Sequence, residues 1–189
     1  MNASVPVLQA AQGLPVAAEK MDGLVVVGST KSPRNQLFLK FTLGQEMFAI
    51  GIQHIREIIE YSPPSAVPMT PVALLGVINV RGSVVPVVDL AMRFGWVATT
   101  IGRRSSIVIV EIMHQEQKHV LGLLVDRVNA VAEIPGSAIE PVPAFGASIH
   151  TDFIAGIAKI DEHFVIMLSI ERTLSVAEIA AGIQAGEAG

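Results

Sequence analysis

The fold is decided by one stretch of the chain, Gly76-Val77-Ile78-Asn79-Val80-Arg81-Gly82-Ser83-Val84-Val85-Pro86-Val87-Val88-Asp89-Leu90. It predicts two strands rich in β-branched residues, broken at Gly82-Ser83. A glycine and one further residue between two such runs are typical of a two-residue hairpin turn. Pairing across that turn would put Arg81 opposite Val84 and Asn79 opposite Pro86. Asn79 and Arg81 would then share one face of the ribbon, and Ile78 and Val80 the other.

Two residues of this ribbon need a physical explanation. Arg81 places a guanidinium among apolar residues, and a buried guanidinium is expected to be paired. Glu57, at the end of the preceding element, is one candidate partner among several acids. Pro86 has no backbone N–H to donate, so its strand is predicted to lie at an edge or a bulge there.

The chain before the hairpin divides into four parts. Residues 1–35 are predicted to be a flexible leader, because Ala, Gln, Pro and Gly dominate them, although residues 24–27 are apolar enough to dock as an added strand. Strand signals begin at Leu37, followed by a return strand over 46–52. An isoleucine run then has helical spacing and predicts a short helical turn, comprising Ile52, Ile55, Ile58 and Ile59. The prolines of residues 62–71 predict an extended connector.

The chain after the hairpin is again rich in strand signals. Asp89 is predicted to cap a short helix. Strands are predicted over 106–113, 119–125, 128–134, 153–160 and 163–168, and Ser175 with Glu178 predicts a closing helix to residue 181. About ten short strands with only short helices indicate an all-β antiparallel fold, either a sandwich or barrels. The long proline-rich connectors favour two small barrels.

Composition excludes several classes of function. The 189 residues are 51% hydrophobic and 16% charged, with a net charge of -4 spread along the chain. The absence of a basic stripe argues against a nucleic-acid partner. The absence of cysteine excludes disulfides and thiolate metal sites. No apolar run approaches the ~18 residues of a membrane helix and no signal peptide is recognisable, so a cytoplasmic protein without membrane insertion is expected.

No catalytic site, metal site or cofactor is predicted. The sequence has no phosphate-binding loop, dinucleotide fingerprint or nucleophile elbow. His114 and His119 lie on a predicted turn without further ligands nearby, which makes a metal site there improbable. Exposed apolar residues are a more promising signal, because such patches often bind partners. Ile52 and Ile55 are the candidates, with burial in the core an equally good alternative.

Several blocks of the sequence match a known family in order along the chain. They are Phe38 to Leu43 with Gly44, Ile52-x-x-Ile55-x-Glu57-Ile58, Gly76-x-x-Asn79-x-Arg81-Gly82 with Val85 to Leu90, and Gly122 to Asp126 with Val128. In these blocks the chain resembles the CheW family of chemotaxis coupling proteins. The resemblance covers about residues 36–174, which predicts one CheW-like domain over 36–175, after the leader and before a helix end and tail over 176–189.

The resemblance implies a fold of two intertwined SH3-like five-stranded β-barrels around a shared core. It implies no enzymatic activity and no cofactor. Such adaptors bridge the cytoplasmic tip of methyl-accepting chemoreceptors to the regulatory domain of the chemotaxis histidine kinase. They can also meet other CheW-like domains in rings beneath receptor arrays, which recruits a cytoplasmic protein to the membrane.

The resemblance also assigns expected roles to particular residues. The receptor-binding positions are Gly76, Ile78, Asn79, Arg81 and Ile107. The kinase-binding segment contains Ile52 and Ile55, and Glu57 and Arg81 are expected to form a structural ion pair. Two alternatives remain open. One is an adaptor of a non-flagellar chemosensory cluster for pilus motility, surface sensing or biofilms. The other is a β-barrel enzyme or small-molecule binder, which a cluster of polar residues at a barrel mouth would favour.

Overall fold

Eleven β-strands form two sheets in the part of the chain that the computed structural model describes, residues 35–114, 116–142 and 149–174. The strands are β1 (Asn35–Leu43), β2 (Glu46–Gly51), β3 (Ile55–Glu60), β4 (Leu74–Val80), β5 (Ser83–Asp89), β6 (Ser106–His114), β7 (Gln117–Val125), β8 (Arg127–Pro135), β9 (Ile139–Glu140), β10 (Ile154–Ile160) and β11 (His163–Leu168). The α-helices are α1 (Leu90–Arg93) and α2 (Ile170–Thr173), and single 3-10 turns cover Ile52–His54, Gly136–Ala138 and Thr151–Phe153. The predicted all-β class with short helices is therefore confirmed. The leader up to residue 34 and the predicted helix from Ser175 lie outside the described residues.

The two sheets exchange hairpins. The first sheet has the order β8-β1-β2-β11-β10-β9, and the second has the order β3-β6-β7-β5-β4. The β1–β2 hairpin comes from the first half of the chain but pairs with β8 and β11, whereas β6–β7 from the second half pairs with β3 and β5. This exchange is the intertwining that the resemblance implied. One sheet has six strands rather than the expected five, because the two-residue β9 adds to the edge of β10.

The β4–β5 and β10–β11 hairpins have the same construction. Each first strand is bulged at a glycine, Gly76 or Gly156. Each turn holds both central residues at positive φ, Arg81-Gly82 in one hairpin and Asp161-Glu162 in the other. A four-residue helix follows each hairpin, α1 or α2. The two barrels are thus built on one plan, in which each half of the chain supplies strands to both sheets.

A single large hydrophobic cluster joins the two sheets. It combines residues of the first sheet, such as Phe41 and Phe48, with residues of the second, such as Leu123, and with Leu90 of α1. The Phe41 and Phe48 rings are stacked at 5.8 Å between centroids. Fully burying one such side chain contributes roughly 1.5–3 kcal/mol. The two clusters that are confined to one sheet are smaller, so neither barrel has an independent core of comparable size.

The register predicted for the central hairpin is wrong. Asn79 pairs with Val84 and Val80 with Ser83, so Arg81 and Gly82 are the two turn residues, with φ of 51° and 87°. A turn of this type matches the twist of the flanking strands but needs positive φ at both positions. The Asn79 side-chain oxygen accepts a hydrogen bond from the Gly82 N–H at 2.9 Å and stabilises this geometry. Arg81 therefore lies at the hairpin tip and not on a strand face.

The helical turn predicted for the isoleucine run is also wrong beyond its first residues. Ile55 to Glu60 form strand β3, in which residues of intermediate burial alternate with exposed ones. β-branched residues favour extended backbone, and β3 pairs along its length with β6. In such a short apolar run, helical spacing and alternation cannot be separated by periodicity alone.

The edge position predicted from Pro86 is wrong for its strand as a whole. β5 lies inside the second sheet, between β7 and β4. Pro86 nevertheless breaks no ladder bond. Its ladder partner Val77 forms both backbone hydrogen bonds with Ser65 instead: the Val77 N–H donates to the Ser65 carbonyl at 2.9 Å, and the Val77 carbonyl accepts from the Ser65 N–H at 2.8 Å. On its other side, the parallel pairing of β5 with β7 begins only at Val87.

Candidate partner-binding surface

The tip of the β4–β5 hairpin is held against strand β3 by an ion pair. The Arg81 Nε lies 3.2 Å from each carboxylate oxygen of Glu57, and Nη2 lies 3.1 Å from Oε2. β3 and β4 are the two ends of the five-stranded sheet. The contact therefore links the two edge strands of this sheet, as closure of a barrel requires.

This pair is on the surface, not inside an apolar ribbon. The Arg81 side chain is 82% exposed and that of Glu57 is 27% exposed. Arg81 pairs with Glu57 without being buried, because the turn places it beyond the last strand pair. An exposed pair of this kind contributes about 0–1 kcal/mol to stability. Most of the Arg81 side chain is available to a partner.

Apolar and polar residues lie side by side on the same tip. Val84 is 69% exposed and pairs across the ladder with the exposed Asn79. We call Glu57, Asn79, Arg81 and Val84 the hairpin tip surface. Partner surfaces commonly combine accessible apolar area with arginine and polar groups that set the orientation.

The other three predicted receptor-binding residues are buried beneath this surface. Ile107 is 0% and Ile78 8% exposed, and both belong to one cluster with Val85 and Val87. Gly76 is also buried, and a side chain there would collide with the backbone oxygen of Ser65. The receptor-binding role of these three residues stays a prediction: Ile78 and Ile107 pack inside the barrel, and Gly76 lies against Ser65 of the connector. Ile78 and Ile107 stabilise the β4–β5 hairpin by packing against Val85 and Val87.

The predicted kinase-binding residues lie in the 3-10 turn before β3, which contains Ile52, and at the first residue of β3, Ile55. Ile52 and Ile55 are both partly buried, and Ile55 packs against the large core cluster. Ile58 is the isoleucine of this run that the prediction missed, since it is 43% exposed. Treating the run as an alternating strand would have identified it, because a strand directs Ile58 away from the face that carries Glu57 and Ile59.

A charged network continues from β3 across the neighbouring strands. Glu111 on β6 lies between Lys118 of β7, at 2.8 Å, and Arg56 of β3, at 3.6 Å. The hydrogen bond from Lys118, with the charges of Lys118 and Arg56, lowers the pKa of the Glu111 carboxyl below its ordinary value of 4.5 despite an opposing desolvation. These exposed pairs fix side-chain positions across three strands.

Within residues 35–114, 116–142 and 149–174, no three His, Cys, Asp or Glu side chains are grouped so that they could hold a metal ion. The rings of His114 and His119 are 6.1 Å apart, in an edge-to-face arrangement at the end of the β6–β7 hairpin. In the same described ranges, no helix has the length and apolar character needed to cross a membrane.

Comparison with known proteins agrees with this geometry. Residues 37–178 match the family profile of the CheW-like domain. The chain is 32% identical over 143 residues to a probable chemotaxis protein CheW of Rhizobium etli, covering 76% of this chain and 90% of that one. It is 30% identical over 161 residues to the chemotaxis protein CheW of Klebsiella aerogenes, covering 85% and 95%.

A solved structure gives the same result for the fold. The scaffolding protein TtCheW from Thermoanaerobacter tengcongensis superposes with a TM-score of 0.65 at 35% identity, covering 75% of this chain and 88% of that chain. Residues 37–178, which the family profile matches, include strands of both sheets and the hairpin tip surface. With its exchanged hairpins, its shared core and its matches in sequence and structure, this chain belongs to the CheW family of chemotaxis scaffold proteins.

Proposed function

We propose that this chain is a non-enzymatic adaptor that couples methyl-accepting chemoreceptors to the regulatory domain of the chemotaxis histidine kinase. The observation that carries the proposal is the hairpin tip surface, since it presents Arg81 and Val84 at 82% and 69% exposure on a conformationally fixed turn. Family membership supports the same assignment. In this proposal the tip binds the cytoplasmic end of a receptor, and the segment with Ile52 and Ile55 faces the kinase.

A rigid body with two separate surfaces suits such a role. The two barrels share one core and exchange hairpins, so a displacement at one surface is carried to the other with little internal deformation. The state of the receptor reaches the kinase only if the contacts of the adaptor differ between active and inactive arrangements. In this proposal the adaptor acts in the cytoplasm, is recruited to receptor arrays, and can meet other CheW-like domains in rings.

Binding measurements with purified partners test the proposal. We expect the wild-type chain to bind both a chemoreceptor cytoplasmic fragment and a kinase regulatory domain in isothermal titration calorimetry. Arg81→Glu should weaken binding to the receptor fragment alone, because it reverses the charge of the exposed tip. Ile52→Ala should weaken binding to the kinase domain alone.

The matched control is Arg172→Glu, which reverses the charge of an exposed residue of α2 and should leave both affinities unchanged. A wild-type chain that binds neither partner would contradict the proposal. Equal loss of both partners in Arg81→Glu, with an unchanged melting temperature, would contradict the assignment of separate surfaces.

A further inference from the structure

One end of the barrel built on the six-stranded sheet opens into a cavity of about 290 Å³. β1 and β10 begin at this end and β2 and β11 finish there, because β2 is parallel to β11, β1 is antiparallel to β2, and β10 is antiparallel to β11. The 3-10 turn Ile52–His54 and the start of α2 complete the lining. We call this cavity the barrel mouth. Barrel mouths commonly bind small molecules, and the volume lies near the lower end, ~300 Å³, of ligand cavities.

The floor of the barrel mouth is apolar and well packed. Phe38 and Met167 are buried members of the cluster confined to this sheet, and Ile139 packs against that cluster. Leu168 and Ile170 are buried members of the shared core. Because these side chains are already held by their neighbours, an apolar ligand group can bind on them with little ordering of the protein.

Three polar side chains of the lining have unused hydrogen-bonding capacity. Within residues 35–114, 116–142 and 149–174, the amides of Gln36 and Gln53 and the hydroxyl of Ser169 form no hydrogen bond. A side chain at Gly51 would collide with the Gln53 amide, so the glycine leaves room for that amide at the cavity. Amide and hydroxyl oxygens accept hydrogen bonds from the N–H groups of a ligand.

The charge of the barrel mouth favours a cation over an anion. Glu171, whose side chain is 50% exposed, supplies a carboxylate, and no lysine or arginine is present among the described residues of the lining. The other titratable residue of this described lining is His54, whose Nδ1 lies 3.6 Å from the Glu171 Oε1. An ammonium group carries three donors and is attracted by a carboxylate. An organic anion would instead be repelled by Glu171.

We propose that the barrel mouth binds a small organic amine. Its ammonium group donates to the Glu171 carboxylate and to the neighbouring amide and hydroxyl oxygens, and its apolar body packs on Phe38 and Met167. The 3-10 turn that lines the cavity also contains Ile52, so a bound amine lies beside the segment proposed to face the kinase. Binding of the amine does not itself depend on the adaptor function.

A nuclear magnetic resonance titration of the full chain at pH 8 tests this proposal, with phenethylamine as the probe. The amine is protonated at this pH, as alkylamines are, and should shift the backbone amide signals of the barrel mouth, such as those of Gln53 and Ser169, until the site is saturated. Two matched ligands keep the aromatic body and replace the ammonium group. We expect 2-phenylethanol to bind several-fold more weakly, and phenylacetate to cause no saturable shift.

Two variants test the residues of the site. Glu171→Gln should bind phenethylamine about fivefold more weakly, a moderate loss because water screens a half-exposed charge pair. Ala155→Leu, which adds bulk at an exposed position of the lining, should also weaken binding. The control is Glu162→Gln, which removes a carboxylate from the β10–β11 turn at the opposite end of the barrel and should bind like the wild type. A dispersed amide spectrum establishes that each variant is folded.

Three outcomes would overturn the proposal. The amine causes no saturable shift at the barrel mouth of the wild type, phenylacetate binds there as tightly as the amine, or Glu171→Gln binds the amine as well as the wild type does. The first two outcomes are measured on the wild type and do not depend on the folding of any variant. The titration contains neither a receptor nor a kinase, so its failure would leave the adaptor function untouched.

Discussion

Arg81 combines a strained backbone with an exposed charge. Its φ of 51° lies in the left-handed region, where glycine is favoured over residues with a side chain. Replacing it by glycine should therefore relieve the backbone while removing the ion pair with Glu57. A position that tolerates backbone strain for the sake of one side chain is a good candidate for a binding residue.

We expect Arg81→Gly to change the free energy of unfolding by less than about 1 kcal/mol, since the pair it removes is exposed, but to weaken receptor binding clearly. Glu57→Gln, which breaks the same pair and leaves the guanidinium, should bind nearly like the wild type. Urea unfolding and calorimetry with the receptor fragment provide the two measurements. A loss of several kcal/mol in Arg81→Gly would show that the pair is structural.

Glu111 provides a pH-dependent contribution at the residue scale. Lys118 lowers the pKa of the Glu111 carboxyl in the folded chain, so the folded state favours the charged form. The resulting stabilisation is present above the ordinary value of 4.5 and is lost as the pH falls through the lowered folded value. The variant Glu111→Gln should therefore lower the melting temperature at pH 7 and have progressively less effect below about pH 4.5. A difference that persists undiminished at pH 2.5 would contradict this cause.

At the scale of elements, local signals predict local structure. Asp89 was recognisable as a helix cap, and its carboxylate does accept a hydrogen bond from the Ala91 N–H at 2.9 Å. The same carboxylate also binds Thr99, through its N–H at 2.9 Å and its hydroxyl at 2.8 Å. No sequence pattern marks that second partner, because it depends on how the following loop folds back. The prediction of the central turn was wrong for a related reason. Both Gly82-Ser83 and Arg81-Gly82 fit the pattern of a two-residue turn, and the hydrogen bond that the Asn79 side chain accepts favours Arg81-Gly82.

Gly76 is the glycine whose replacement should disturb an element most. Its φ is 139°, and an added Cβ would collide with the Ser65 carbonyl that bonds Val77. We expect Gly76→Ala to lower the free energy of unfolding by about 3 kcal/mol, because strain and a lost backbone bridge add together. Gly102→Ala is the control, since Gly102 has open space and no positive φ, and it should be nearly neutral. Equal stability of the two variants in urea would contradict the proposed close approach.

At the scale of the whole molecule, the exchange of hairpins was expected only from the family resemblance and not from the periodicity or spacing of the residues. The strands themselves were recognisable, but the parallel pairs β5–β7 and β2–β11 join segments far apart in the chain. The common construction of the β4–β5 and β10–β11 hairpins could not be recognised from the sequence either. Aligned from Leu74 and Ile154, their residues agree in type at the bulge glycine and at Val85 and Val165, and otherwise mainly in apolar character. Turn geometry and bulges preserve the plan where residue identity does not.

The exchange predicts that neither half of the chain folds alone. A cut after Thr100 separates β1–β5 from β6–β11. In the first fragment, β3 loses β6, its only described ladder partner. The β1–β2 hairpin loses its neighbours β8 and β11, and the β4–β5 hairpin loses β7. Isolated two-stranded hairpins are at best marginally stable in water, and the shared core cluster is divided between the fragments.

We therefore expect fragments 1–100 and 101–189 to give disordered circular dichroism spectra separately and to recover the β spectrum and receptor binding when mixed at equal concentration. The recovered complex should melt at a temperature that rises with concentration, because association and folding are coupled. As a control, a cut at the β10–β11 turn, between Asp161 and Glu162, removes only β11 and α2 of the described elements, so fragment 1–161 should be more structured than 1–100. A cooperative melt of either 1–100 or 101–189 alone would show that a barrel can form from one half, and would contradict the shared core as the unit of folding.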